Sequence, residues 1–364
     1  MTLADVFGRF GPEYLARYHE NILTSHRSAI DAIVKCRTHR LGGHLWFCQE
    51  CREYHYSYHS CKNRHCPQCG NDAADEWLEK QQDLLLPSAY FMATFTVPNA
   101  VRLYIRSHQK QMYNILFRTS SQALLTLAQD KRFVGGTIGM VGVLQTWTRD
   151  LHYHPHIHYL IPGGGLTADH CKWRRVKDHF LMHVKPLSRM FRNNFQEVMI
   201  KAGLYDQIPA SVWDQEWVVN IITVGNGESA LKYLAPYIFR IALSNRNIIS
   251  MDDETVTFRY RESGSTVYNY RRVKAMEFMR RFLQHVLPKG FIKVRYYGLF
   301  SSGKKILLEI VKKLLGVMLS GDRKSGKIKR PKQMLCPVCH SAMFYMKELK
   351  PSRGPPKLNQ AITA

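Results

Sequence analysis

The stretch TWTRDLHYHPHIHYLIPGGG, Thr146 to Gly165, holds a turn and then a strand in which His156 and His158 alternate with Ile157. Successive side chains of a strand point to opposite faces, so the two imidazoles share a face and can jointly hold a metal ion. With 17 histidines in the chain, a His-x-His pair arises by chance about once, so the surrounding residues have to decide its meaning. Pro155 chooses between the overlapping pairs of this run. Proline cannot donate to a ladder and belongs at or before the first residue of a strand, so the strand is expected to begin at His156, with His152 and His154 in the turn. Gln145 stands on the opposite arm of the hairpin. Pairing across the turn brings its amide oxygen to the same face, giving a three-ligand site with open positions for water and phosphate.

Working outward, the first arm spans about Thr137 to Thr148, the turn centres on Arg149, Asp150 and Leu151, and the second arm ends at Pro162 to Gly165. Tyr90 to Val97 is apolar and β-branched and reads as a buried strand, followed by a helix from about Val101 to Gln129. Upstream, apolar residues at helical spacing predict one leading helix from Pro12 to about Thr38, and Asn71 offers an N-cap for a helix to about Leu86. Downstream, a helix near Pro186 to Lys201 and a strand near Trp217 to Thr223 lead through Gly225-Asn226-Gly227 into a helix carrying Tyr233 and Tyr237. Strands at Asn247 to Ser250 and Val256 to Arg261, a helix from Val273 to Val286 and a strand from Ile292 to Gly298 follow. Antiparallel hairpins with helices packed on one side read as α+β. The expected division is 1–87, a helix and metal-binding segment; 88–300, the main domain; and 301–364, a basic extension ending in a Pro-rich, disordered tail from Pro351 to Ala364.

Lys and Arg outnumber Asp and Glu to give a formal net charge of +24, far beyond what solubility requires, and this points to a polyanionic partner, nucleic acid first. Aromatics interleave with the cations at Arg295-Tyr296-Tyr297, Phe258 to Arg261 and Tyr268 to Arg272. Such rows can stack bases while cations hold phosphates, or can be half-buried strands with one charged face. No stretch approaches the apolar length that spans a bilayer, and the N-terminus lacks the pattern of a secretory signal, so a cytoplasmic location is expected.

Nine cysteines without an export signal suggest metal ligands rather than disulfides. Three C-x-x-C pairs occur, where random placement would give about 0.2. Cys48-x-x-Cys51 and Cys66-x-x-Cys69, fourteen residues apart, are expected to form one tetrahedral zinc site, with Cys61 as a fifth candidate. Cys336 and Cys339 form the third pair. His340 follows directly, but no fourth ligand is evident downstream, so this group would have to borrow one from elsewhere in the fold.

Tyr233 and Tyr237, four apart, are neighbours on one helix face, and either phenolate could attack a phosphate that a divalent ion neutralises. Pro236 between them is expected to kink the helix or start a new turn. The same pair at this spacing is also ordinary core packing.

Four segments, YHSCKNRHCPQC (Tyr58 to Cys69), LQTWTRDLHYHPHIHYLIPGGG (Leu144 to Gly165), KYLAPYIFRIALSNRNI (Lys232 to Ile248) and FLQHVLPKGFIKVRYYG (Phe282 to Gly298), together resemble transposases of the IS ninety-one family, within the HUH endonucleases. The resemblance spans about residues 10 to 300. It implies an N-terminal zinc-binding domain and an HUH nuclease domain with a central antiparallel sheet. It further implies that the protein nicks and rejoins single-stranded DNA at mobile-element ends through a 5′-phosphotyrosine. His156 and His158 match the HUH pair, Gln145 the third ligand, and Tyr233 and Tyr237 the paired nucleophiles. Mg²⁺ or Mn²⁺ would serve the nuclease site and Zn²⁺ the N-terminal domain. Pro236 stands where many relatives carry a basic residue. Gly321 to Lys327 imitates a phosphate-binding loop, but Ile328 replaces the required hydroxyl, so unwinding would fall to a host helicase. The implied setting is the bacterial nucleoid, with no membrane partner and no oligomeric state assigned. Two other readings stay open: a plasmid replication initiator or relaxase sharing the chemistry, and a zinc-ribbon nucleic-acid-binding protein whose histidines are structural.

Overall fold

The computed structural model describes residues 1–69, 77–78, 81–177, 179–239, 242–262, 264–317 and 334–355. The helix expected from Asn71 to Leu86 lies largely outside the described residues, as do the loop-like Gly321 to Lys327 and the end of the Pro-rich tail.

Two helices, α1 (Leu3–Arg17) and α2 (Thr24–Lys35), open the chain where one was expected. Thr2 caps α1 by accepting from the Asp5 backbone while the Asp5 carboxylate accepts from the Thr2 N–H, so the helix begins well before Pro12. β1 (Gly43–Cys48) and β2 (Glu53–Tyr58) form a hairpin. Next come β3 (Ala89–Thr96), α3 (Asn99–Ser107), α4 (Gln109–Ala128), β4 (Gly139–Trp147) and β5 (Tyr153–Pro162). After the short ribbon β6 (Gly164–Leu166) and β7 (Trp173–Arg175), α5 (Val184–Lys201) precedes β8 (Val218–Asn226) and α6 (Gly227–Phe239). The chain continues through β9 (Ile248–Met251), β10 (Thr255–Tyr260), β11 (Asn269–Lys274), α7 (Ala275–Leu283), β12 (Val294–Gly298) and α8 (Lys305–Leu314). The last strand among the described residues is β13 (Phe344–Leu349).

The central sheet has the order β12-β4-β5-β3-β8, antiparallel at every junction. The alternation of its strands sends Phe91, Ala93, Phe95, Leu144, Ile157, Tyr159 and Ile161 to one face, where they bury against Phe117 and Leu124 of α4 and Phe191 and Phe195 of α5. The other face carries Tyr90, Met92, Val141, Val143 and Leu160 beneath Leu231, Leu234 and Ile238 of α6 and Leu308 of α8, so helices cover both faces rather than the one side expected, because these strands are apolar on both. Towards one end this second face changes character: Met92 gives way to Thr94, Val143 to Gln145, and Leu160 to His158 and His156. Covering one half with helices and leaving the other polar creates a protected edge at which a site can form.

The hairpin departs from expectation in one respect. β5 begins at Tyr153 and keeps His154 and Pro155 within it. Gln145 pairs with His156 and Trp147 with Tyr153, so β5 holds an extra residue at a bulge, and pairing with β3 ends at Thr96 opposite His156. Pro155 therefore sits where neither neighbour requires its missing N–H, which is how proline is accommodated in a sheet.

A separate core joins α1, α2, the β11-β10-β9 sheet and α7 through Phe7, Ile30, Phe258, Phe278 and Phe282, with Leu151 of the β4–β5 turn inserted among them. β13 returns to pair with β1, giving the order β13-β1-β2. Residues on both sides of positions 87 and 300 thus share cores. Among the described residues no helix is long and apolar enough to cross a membrane.

Candidate active site

His156 and His158 lie on the polar half of the sheet face, their ring centroids 4.8 Å apart, and the bulge adds His154 at 5.1 Å from His156. Gln145 is directly opposite His156. The His156 Nδ1–H donates to the His154 carbonyl at 2.6 Å, which leaves Nε2 as the lone-pair nitrogen. His158 Nδ1 shares a 2.9 Å hydrogen bond with Thr94 Oγ1 on the neighbouring strand, which fixes the orientation of the ring, as hydrogen bonds to the remote nitrogen do for metal-binding imidazoles. Burial pushes the imidazole pKa values down, to about 4 for His154 and His156 and about 2 for His158, with the neighbouring His156 adding to the effect at His154 and His158. Neutral imidazoles are the form that binds metal. Two of them with a carboxamide oxygen make a donor set compatible with a divalent ion that keeps open positions.

These groups line a cavity of about 670 Å³ whose opposite wall comes from β10, β11 and the segment between them: Tyr260, Arg261, Glu262 and Arg271. The hairpin turn ties the walls together. Asp150 accepts from Thr148 Oγ1, pairs with His152 Nδ1 at 2.6 Å and with Arg271 at 3.2 Å, and Arg149 donates to the Glu262 carbonyl at 3.0 Å. Burial alone would raise the Asp150 pKa, but the hydrogen bond from Thr148, His152 and Arg271 together hold it below the usual carboxylate range. Arg259 and Arg261 lie 4.3 and 4.0 Å from the Tyr268 ring centroid, and Arg271 lies 5.5 Å from that of Tyr260. The rows Phe258 to Arg261 and Tyr268 to Arg272 therefore supply a cationic, aromatic wall. The third row does not: Arg295 stacks on Phe117 and Phe291 and bonds Asn114, while Tyr296 is bonded to Gln81 and Trp77.

α6 carries Tyr233 and Tyr237 on the same face of the sheet as the histidines. It follows β8 directly, across a turn in which Gly225 and Gly227 adopt φ of 87° and 50°, conformations that favour glycine. Its continuous span includes Pro236, so the expected restart of the helix is not seen. Tyr233 is 38% exposed; the side chain of Tyr237 lies outside the described residues.

The cysteines divide differently from the expected single site of Cys48, Cys51, Cys66 and Cys69. Cys66 and Cys69 join Cys61 and Cys36, while Cys48 and Cys51 join Cys336 and Cys339. In the first group Cys36 Sγ lies 3.5 Å and Cys61 Sγ 3.6 Å from Cys69 Sγ, and the Cys61 N–H donates to Cys36 Sγ. Such crowding cannot ionise in full without a cation: hydrogen bonding to Cys66 draws the Cys61 thiol down, while bonding to Cys61 and burial push Cys66 up. A tetrahedral zinc with Zn–S of about 2.3 Å requires sulfurs about 3.8 Å apart, which this group approaches. Cys36 escaped the sequence reading because it belongs to no C-x-x-C pair; its position at the end of α2, ahead of the cysteine-dense segment, was the available signal. His154, Thr94 and Asp150 were likewise missed as site residues.

Residues 139–306 match a family model described as "Putative transposase", and residues 6–97 match one described as "Transposase zinc-binding domain". The chain is 33% identical over 387 aligned residues to "Putative transposase y4qJ" of Sinorhizobium fredii, covering 98% of this chain and 97% of that relative. It is 23% identical over 292 residues to the transposase for insertion sequence element IS801 of Pseudomonas savastanoi pv. phaseolicola, covering 75% of this chain and 70% of that protein. No solved structure matches the chain.

Proposed function

This chain belongs to the IS ninety-one family of transposases and carries its zinc-binding domain, and from that premise we propose that it nicks and rejoins single-stranded DNA at mobile-element ends through a 5′-phosphotyrosine. The observation that carries the reading is that His156, His158 and Gln145 share one sheet face with the helix bearing Tyr233 and Tyr237. α6 doubles back over that face from Asn226, whose partner on β3 is Ala89. A helical rise of about 1.5 Å per residue carries the backbone of Tyr237 about 15 Å from Gly227. A strand rise of about 3.3 Å per residue sets Thr94, the partner of His158, about 17 Å from Ala89. The two rises are matched.

Bound Mg²⁺ or Mn²⁺, held by His156 Nε2, His158 and the Gln145 amide oxygen, would neutralise charge on the scissile phosphate. Arg261 and Arg271 on the facing wall hold neighbouring phosphates, and Tyr260 offers a stacking surface. The tyrosine loses its proton to solvent, and its oxygen attacks phosphorus in line. The bond from phosphorus to the 3′-oxygen breaks, and that oxygen leaves as a hydroxyl after taking up a proton. One phosphoester replaces another, so a 3′-hydroxyl on a second strand can reverse the step and join the strands without an outside energy source. A second tyrosine permits two such exchanges in succession. Strands opened by a host helicase would be the substrate.

The chemistry of the cut ends tests this. With an element-end oligonucleotide and Mn²⁺, the upstream fragment should be extended by a polymerase, and the downstream fragment, even after phosphatase treatment, should resist 5′-phosphorylation until protease and a tyrosyl-DNA phosphodiesterase remove the attached peptide and phosphatase then removes the 5′-phosphate left behind. A downstream fragment with a free 5′-phosphate and no protein would instead mean hydrolysis by water.

A further inference from the structure

Cys48 and Cys51 end β1 and open the turn into β2, whereas Cys336 and Cys339 come just before β13. The structure nevertheless gathers their four sulfurs within 4.8 Å of one another, with Cys48 to Cys339 at 3.5 Å and Cys51 to Cys336 at 3.9 Å. A disulfide would require about 2.05 Å, while four thiolates around one zinc ion sit about 3.8 Å apart. The surroundings independently suit an ion. Cys48 and Cys336 are wholly buried with Met343, and Trp46 and Met334 pack around them. The Val338 N–H donates to Cys336 Sγ at 3.4 Å, a bond that favours thiolate, and the loop closes through Cys336 N–H to the Ser341 carbonyl and His340 N–H to the Cys336 carbonyl. The backbone beyond it is placed as well: β13 pairs with β1 from Leu349 opposite Gly43 to Phe344 opposite Phe47.

We propose that Cys48, Cys51, Cys336 and Cys339 bind a second zinc ion that fastens the C-terminal segment to the N-terminal sheet. The matched zinc-binding region, residues 6–97, contains only two of these ligands. The ion closes a ring of chain whose ends, Cys51 and Cys336, are 285 residues apart and which contains the whole central sheet. Its role is to hold β13 against β1, and it stands whether or not the nuclease reading does.

The test is a metal and thiol count on the full-length native protein purified with zinc. Elemental analysis should find two zinc ions per chain. Brief N-ethylmaleimide treatment, followed by peptide mass analysis, should label Cys171, which is exposed and outside both groups, and spare the other eight cysteines. A C336S/C339S variant should fall to one zinc ion and expose Cys48 and Cys51 to labelling. One zinc ion in the wild type with Cys48, Cys51, Cys336 and Cys339 all labelled would overturn the proposal, as would unchanged zinc content in the variant or disulfide-linked peptides from these four residues. Should the variant fail to fold, the wild-type count decides.

Discussion

His158→Ala is expected to reduce single-strand cleavage by more than about 100-fold, because loss of the outer partners of a metal ligand already costs about 10 to 100-fold and loss of the ligand itself should exceed that. His158 sits between Thr94 on one side and Val143 on the other, with its Nδ1 engaged by Thr94 Oγ1. Thr94→Val keeps the shape of the strand and removes only that hydrogen bond, so it should weaken Mn²⁺ activation by about 10 to 100-fold while sparing activity at saturating ion. Cleavage rates across a Mn²⁺ titration, with circular dichroism to confirm the fold, separate the two effects. If His158→Ala cleaves at the wild-type rate with the same Mn²⁺ dependence, these imidazoles are structural and the site must be sought elsewhere.

Cys66→Ser should abolish the folded N-terminal half. Structural zinc in small domains contributes apparent free energies of about 10 to 16 kcal/mol, as large as the entire stability of a typical domain. Cys66 is 1% exposed and belongs to the same buried core as Phe7 of α1, Phe258 of β10 and Phe278 of α7, so the loss should spread into the β9–β11 sheet that walls the cavity. Soluble yield, zinc content and thermal unfolding measure this. Cys171→Ser is the matched control: on an exposed loop it should shift stability by no more than about 0.5 kcal/mol. Wild-type zinc content and unfolding temperature in Cys66→Ser would exclude a structural ion held by this group.

The contrast between these two sites shows what the sequence can carry. The central strands were legible as apolar, β-branched runs closed by turn residues, and the two-residue period of a strand set His156 and His158 on one face with Ile157 on the other. The start of β5 was not legible, because whether Pro155 is tolerated depends on where β3 stops pairing. β11 stayed undecided for a related reason: Asn269 to Lys274 has no buried residue, so the row Tyr268 to Arg272 reads equally as a base-stacking surface or as a half-buried strand. The cysteines illustrate the limit most clearly. A C-x-x-C spacing identifies two thiols that can share an ion, but which pairs meet is decided by chain tertiary structure. Cys336 and Cys339 were expected to draw one ligand from elsewhere in the fold; they gather with two, Cys48 and Cys51, without His340, and Cys66 and Cys69 are left to Cys36 and Cys61. The facing wall of the cavity was present in the sequence as aromatic and basic rows, yet only the fold separates the rows that line it from the row that forms β12 at the edge of the central sheet.

The central claim, that a tyrosine of α6 attacks a phosphate held at the histidine face, is tested most directly by covalent capture. A single-stranded element-end oligonucleotide labelled at its 3′ end is incubated with the protein and Mn²⁺, denatured, and the labelled peptide identified by mass spectrometry. The account predicts a denaturation-resistant adduct on Tyr233 or Tyr237 that disappears in the Tyr233→Phe/Tyr237→Phe double variant. A labelled residue outside α6, or strand cleavage that persists undiminished in the double variant, would contradict it.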